Sequence, residues 1–304
     1  MTTVQYAHYG DVRIAYERFG ETGDPLLLIG GHGRPSTWIP DGFCHALVDA
    51  GFTVVRFDNR DSGLSTHFDS HTAAGYVSAV LRRTRRPPYP VTAFADDAAA
   101  VLDANDWPAA HLVGGSMGIG IALLLAARAP DRVHSMNLLT GGYMHQHRIL
   151  RYTRFATLLS IAGRRFPPGP EGEAEMTVAV MRMLASPHAL DRFDDDLARD
   201  IGRRSHARHP HDPAADRRQI AAGRTGEPWP FDALPDVPIQ IINGLDDPMI
   251  RATGGLDLAR RLRAPIRFYP DMGHDLPKHL WGTLAADIRA LADRRSVPET
   301  RPAA

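Results

Sequence analysis

Gly114-Gly115-Ser116-Met117-Gly118 stands between a strand-like run, His111-Leu112-Val113, and an Ala- and Leu-rich helix former, Ile119 to Arg128. A G-x-S-x-G sequence in that position takes the chain from strand to helix through one sharp turn. The serine sits strained at the apex, its hydroxyl thrust beyond the carboxyl edge of a sheet. Glycines two residues before and two after Ser116 leave room for close contact across the turn. The helix N-terminus behind Ser116 also favours negative charge developing beside it.

The rest of the chain supplies the sheet that such a turn requires. Val12 to Arg18 alternates apolar and polar residues, as a half-exposed strand does. Pro25 introduces Leu26-Leu27-Leu28-Ile29, a run suited to a strand buried on both faces of a parallel sheet, stopped by Gly30-Gly31. Helical spacing over Phe43 to Ala50 ends at Gly51, and Thr53 to Phe57 forms the next strand, closed by the turn-forming Asp58-Asn59-Arg60-Asp61-Ser62-Gly63. A helix over Thr92 to Ala104 and a strand over Val133 to Thr140 complete the first half. From Tyr143 to Asp232 only helix signals occur, broken at Pro167-Pro168-Gly169-Pro170 and around Pro210 to Pro213. Alternation resumes with strand Pro238 to Ile242, helix Leu256 to Leu262, strand Ile266 to Tyr269 and a helix from about His279 to Arg294.

The expected fold class is therefore α/β: a mostly parallel central sheet flanked by helices, with a helical cap inserted after the sixth strand. Residues 1–142 and 233–294 make the core, 143–232 the cap and 295–304 a flexible tail.

Charge and cysteine content narrow the classes of partner. Lys+Arg and Asp+Glu both number 35, so the formal net charge is zero and there is no electrostatic case for nucleic acid or an anionic membrane. Met1 to Gly20 lacks a signal pattern and no apolar run approaches a membrane span. Cys44 is the only cysteine, which excludes an intramolecular disulfide and fits a reducing compartment. A cytoplasmic protein acting on a small molecule is expected, and nothing in the sequence specifies an oligomeric state. Lys278 is the sole lysine among many arginines, a bias that with the abundant Ala, Pro and Gly reads as GC-rich bacterial coding.

A serine hydroxyl needs a base before it can attack. Loops after later strands converge on the same sheet edge as Ser116. Asp271-Met272-Gly273-His274 follows the last strand and offers His274 as base; Asn243-Gly244-Leu245-Asp246-Asp247-Pro248 follows the preceding strand and offers a carboxylate. Asp247 is preferred over Asp246, because a turn that presents one carboxylate inward and then breaks at proline fits Asp247-Pro248. The order Ser, Asp, His matches a nucleophile on this kind of turn. Oxyanion donors are the backbone amides of Met117 and of the turn Gly30-Gly31-His32-Gly33, with His32 first and Gly33 or Arg34 as alternatives. Gly33 and Trp38 are candidate substrate contacts. No metal site is expected: His206, His209 and His211 with Asp212, beside Pro210 and Pro213 and without a second ligand cluster, read as an exposed loop. Arg82-Arg83-Thr84-Arg85-Arg86 reads as a solvated basic face.

With these residues in place the chain resembles the α/β-hydrolase superfamily over essentially its full length, most of all the aclacinomycin methylesterase group of polyketide-tailoring hydrolases. The likeness rests on Gly30-Gly31, on Arg56-Phe57-Asp58-Asn59-Arg60-Asp61-Ser62-Gly63-Leu64-Ser65, on Gly115-Ser116-Met117-Gly118, on Asp247-Pro248 and on Met272-Gly273-His274-Asp275-Leu276-Pro277. It implies hydrolysis of a carboxylic ester through an acyl-enzyme, without a cofactor, and Ser116, Asp247 and His274 match its motif positions. The glycine turn departs from that pattern, continuing as His32-Gly33-Arg34-Pro35 where Asn and an apolar residue are expected. The same triad would serve a carbon–carbon bond hydrolase or a lactonase, and a degenerate member of the superfamily would serve as a small-molecule binding protein.

Overall fold

The computed structural model describes residues 3–69, 87–142, 151–161, 164–223 and 229–294. The strands are β1 (Val4–Tyr9), β2 (Val12–Phe19), β3 (Asp24–Ile29), β4 (Phe52–Phe57), β5 (Ala110–Gly115), β6 (Val133–Leu139), β7 (Ile239–Gly244) and β8 (Ile266–Tyr269). They form one sheet in the order β1-β2-β4-β3-β5-β6-β7-β8. β1 pairs antiparallel with β2 and β2 with β4, while every junction from β4 to β8 is parallel.

Apolar strands at the centre explain the two-sided core. Leu26 and Leu28 of β3 join Phe43 and Leu47 of α1 (Asp41–Asp49) and Leu284 and Ile288 of α9 (Trp281–Asp293) on one face. Leu27 and Ile29 point to the other face. There they meet α2 (Ala93–Asp103), α3 (Met117–Arg128) and α8 (Ala252–Leu262) through Phe94, Ile119 and Leu258. β1 left no signature in the sequence because it is an edge strand with one buried residue, Ala7. β2 is not half-exposed as its alternation suggested: Ile14 to Glu17 are consecutively buried, and the carboxylate of Glu17 is taken up by Arg56 on β4, Nε to Oε2 2.9 Å.

Between β6 and β7 the described residues form helices α4 (Phe155–Ile161), α5 (Pro170–Leu184), α6 (Asp195–Arg208) and α7 (Pro213–Gly223). Pro170 sits in the first turn of α5, where its missing N–H costs nothing, and Asp194 caps α6 by accepting the Leu197 amide at 3.0 Å. The prolines at 210 and 213 explain the break between α6 and α7. The basic run from Arg82 to Arg86 and the tail 295–304 lie outside the described residues.

The helical segment is bolted to the sheet by buried ion pairs. Arg208 of α6 reaches Glu17 at 2.5 Å and Asp58 at 3.0 Å, and Arg218 of α7 grips both carboxylate oxygens of Asp61 at 3.0 and 2.7 Å. Gln219 donates to the Arg60 carbonyl at 2.7 Å. The Asp58 to Asp61 turn, which the sequence marks only as turn-forming, is therefore buried. Such pairs add little net stability over an apolar contact, but losing one partner is costly, so they fix where the helices sit.

Candidate active site

Ser116 follows β5 directly with φ 53° and ψ −113°, a left-handed conformation that a non-glycine residue adopts only when its surroundings enforce it. Two backbone approaches do so. A Cβ on Gly114 would stand 2.5 Å from the Gly118 carbonyl, and one on Gly118 would run into the Ile29 carbonyl of β3. The Ser116 amide donates to the Leu139 carbonyl of β6 at 3.0 Å, pinning the turn between its neighbours.

The loops after β7 and β8 bring the two other candidates to the same place. His274 Nε2 lies 3.1 Å from Ser116 Oγ, and its Nδ1 lies 2.8 Å from Asp247 Oδ2. The other oxygen of Asp247 accepts the amides of Met249 and Ile250, both at 2.7 Å. Asp247 and His274 are buried. Asp246, the competing carboxylate, is half-buried and points elsewhere, accepting Ser186 Oγ at 3.3 Å. The His274 amide donates to the Leu184 carbonyl at the end of α5 at 2.7 Å, so the helical segment helps to hold the imidazole loop.

Beside Ser116 runs the turn after β3. A Cβ on Gly31 would sit 3.4 Å from the Ser116 Cβ, and Asn59 Nδ2 holds this turn by donating to the Gly30 carbonyl at 3.3 Å. Met117 opens α3, with its amide at the helix N-terminus. His32 lies on the cavity wall, but its side chain is engaged elsewhere: Nε2 is 2.9 Å from the Asp216 carbonyl. Gly33 is not brought to the cavity. Its amide donates to Gln219 Oε1 at 2.8 Å and its Cα backs onto the Asp216 carboxylate, which removes it as substrate contact and as oxyanion donor. Trp38 does line the cavity, beneath the Arg34 guanidinium at 4.7 Å from the ring centroid. Asn59, Asp216 and Gln219 were not anticipated, since each reads in sequence as an ordinary polar residue of a turn or helix.

The cavity has a volume of about 1090 Å³ and is walled by both the sheet edge and the helical segment. Ser116 and His274 face it, together with apolar side chains such as Val180, Leu197 and Ile201. Its size suits a large, mostly apolar small molecule. Asp275 also lines it, accepting the Gly273 amide at 2.9 Å; burial pushes this carboxyl up to about 6, against the pull of the Gly273 amide and His274 and with help from Asp247. Asp216 shows the opposite balance. Burial works to raise it, yet the hydrogen bond from His211 and the positive fields of His32, His211 and Arg34 bring it down to about 2.

Among the described residues no group of three or more His, Cys, Asp and Glu could hold a metal ion. The histidines near α6 and α7 are dispersed over separate partners: His206 on Glu173 at 3.0 Å, His211 on Asp216 at 2.9 Å, and His209 stacked on His67 at 3.9 Å. Among the described residues no helix is long and apolar enough to cross a membrane.

Comparison with known proteins follows the same lines. The family model for the alpha/beta hydrolase fold matches residues 24–277. The chain is 30% identical to rhodomycin D methylesterase DauP of Streptomyces sp. (strain C5), covering 92% of this chain and 95% of that protein. It is equally 30% identical to rhodomycin D methylesterase DnrP of Streptomyces peucetius, with the same coverage of 92% and 95%. Among solved structures it is similar in fold to the meta-cleavage product hydrolase CumD of Pseudomonas fluorescens IP01, with a TM-score of 0.67 at 20% identity over 95% of this chain and 96% of that one.

Proposed function

The chain belongs to the alpha/beta hydrolase fold family, whose esterase-named relatives make it a hydrolase, and from that premise we propose that it cleaves a carboxylic ester through an acyl-enzyme on Ser116. The ester is of the methyl type and the body of the substrate is a polyketide-like small molecule. The observation that carries this reading is the unbroken relay from Ser116 Oγ to His274 Nε2 at 3.1 Å and from His274 Nδ1 to Asp247 Oδ2 at 2.8 Å.

In this mechanism His274 takes the Ser116 proton as Oγ attacks the ester carbon. The carbonyl oxygen becomes an oxyanion beside the amides of Met117 and His32, and the N-terminus of α3 adds its positive end. Asp247 keeps the imidazole proton on Nδ1 and stabilises the imidazolium. Collapse of the intermediate breaks the ester bond as His274 protonates the departing alkoxide, releasing the alcohol. Water, deprotonated by His274, then attacks the acyl-enzyme and frees the acid, with Ser116 reprotonated. The chemistry asks for no cofactor. Residues 143–232 act as the cap that shapes the acyl pocket, and the single buried Cys44 suits a cytoplasmic setting.

Ser116→Ala tests the reading. Turnover of an activated methyl or nitrophenyl ester should fall by about 10⁶-fold with the melting temperature retained. Native protein should also label with a fluorophosphonate where the variant does not. Retained turnover in the variant, or no labelling of the native chain, would refute it, the latter in favour of a binding protein.

A further inference from the structure

The turn after β3 carries a charge that the proposed hydrolysis does not use. Arg34 is half-buried and lies on the cavity wall three residues beyond Gly31, the residue packed against Ser116. Its guanidinium carbon stands 4.7 Å from the centroid of the Trp38 ring. The other cations on the wall are already neutralised. Arg192 pairs with Asp271 at 3.3 Å and Lys278 with Asp194 at 2.9 Å, both on well-exposed side chains. Among the described residues Arg34 has no carboxylate within ion-pair distance. The Asp216 carboxylate feels its field but packs behind Gly33 and is hydrogen-bonded to His211 at 2.9 Å.

A guanidinium held over an indole ring keeps the N–H donors along its edge available to a further partner. That edge matches a planar oxyanion with two accepting lone pairs. The nearby indole offers an aromatic surface on which a flat ring can stack. A cavity lined mostly by apolar side chains, with Arg192 and Lys278 already paired, would partly desolvate such a pair and strengthen it.

We infer that Arg34 and Trp38 form an anion subsite, so that the substrate carries, besides its ester, a carboxylate or an ionised phenol on a flat ring system. The inference rests on the ester-hydrolase reading. It accounts for the one stretch, His32-Gly33-Arg34-Pro35, where the glycine turn leaves the methylesterase-like pattern.

The test compares methyl esters of naphthoic acids that bear a distal carboxylate, a distal phenol or a distal carboxamide, each assayed below and above the ionisation of the phenol. The native enzyme should favour an anionic ester over the carboxamide by about ten- to hundredfold in kcat/KM, the range of a charge-assisted hydrogen-bonded pair. Arg34→Gln should abolish that ratio, and Arg34→Lys, which keeps charge without the planar fork, should restore part of it. Preference for the carboxylate identifies that source of the oxyanion, and preference for the phenol only above its ionisation identifies the other. Equal turnover of charged and uncharged esters, or a ratio untouched by Arg34→Gln, overturns the subsite. A second measurement does not depend on ester cleavage. With Ser116→Ala protein, calorimetric titration should show naphthalene dicarboxylate binding more tightly than its monoamide, a difference lost when Arg34→Gln is added. If no ester turned over, the ester-hydrolase reading would fall, and equal binding of diacid and monoamide would separately remove the subsite.

Discussion

Asp247→Asn separates the proposed mechanism from one in which any nearby carboxylate would do. Asp247 Oδ1 accepts two amides, from Met249 and Ile250, each at 2.7 Å. An asparagine there must place its carbonyl oxygen toward those donors, because its NH₂ group facing two N–H groups would leave them unpaired in a buried site. The NH₂ is thereby forced toward His274 Nδ1, where the carboxylate oxygen now lies at 2.8 Å. Nδ1 must then accept, the imidazole proton moves to Nε2, and Nε2 faces Ser116 as a donor that cannot take the serine proton. A wrong tautomer of this kind costs about 10⁴-fold in kcat, or ~5.4 kcal/mol of transition-state stabilisation. The two amide hydrogen bonds survive, so the melting temperature should stay near that of the native chain. Steady-state hydrolysis of an activated ester and the rate of fluorophosphonate labelling both measure the loss, with Asp246→Asn as comparison. A tenfold or smaller effect of Asp247→Asn together with a large effect of Asp246→Asn would show the orientation argument to be wrong.

Two further perturbations test the scaffold. Arg218→Gln strands the buried Asp61 carboxylate, which among the described residues keeps only the Phe68 amide and the Tyr89 hydroxyl, at a cost of ~3–5 kcal/mol. For a chain of this length that corresponds to a fall of ~5–8 °C in melting temperature, and an unchanged melt would mean the pair is not closed in solution. Asp275 sets a pH dependence of defined sign. Its folded value, pushed up by burial to about 6, exceeds the ordinary 3.8, so the folded chain binds the extra proton and this contribution to stability is lost as pH rises from about 4 through 6. Asp275→Asn should accordingly melt higher than the native chain at pH 7 and no higher below pH 4; a gain of the same size at both would place its origin outside this carboxyl.

What was legible in the sequence is what strand ends announce locally. Ser116, Asp247 and His274 each follow a strand within a few residues, and each sits among glycine or proline punctuation, so their convergence could be read from order alone. Pro248 sets Asp247 apart from Asp246 in the sequence, and it is Asp247 whose Oδ2 lies 2.8 Å from His274 Nδ1. The remainder depended on partners far along the chain. Asp58 and Asp61 read only as turn residues because the arginines that pair with them, Arg208 and Arg218, arrive about 150 residues later, from helices whose own sequence reads as polar. The orientation of Gly33 was hidden for the same reason. Its positive φ of 70° is visible only in three dimensions, and its acceptor, Gln219, lies 186 residues away. β1 had no second face to bury and so left no period to detect.

The two hooks from α7 onto the glycine turn, through the His32 ring and the Gly33 amide, give the roof of the cavity authority over its floor. Any displacement of α7 would therefore pull at both attachments and carry along the turn that packs, at Gly31, against Ser116.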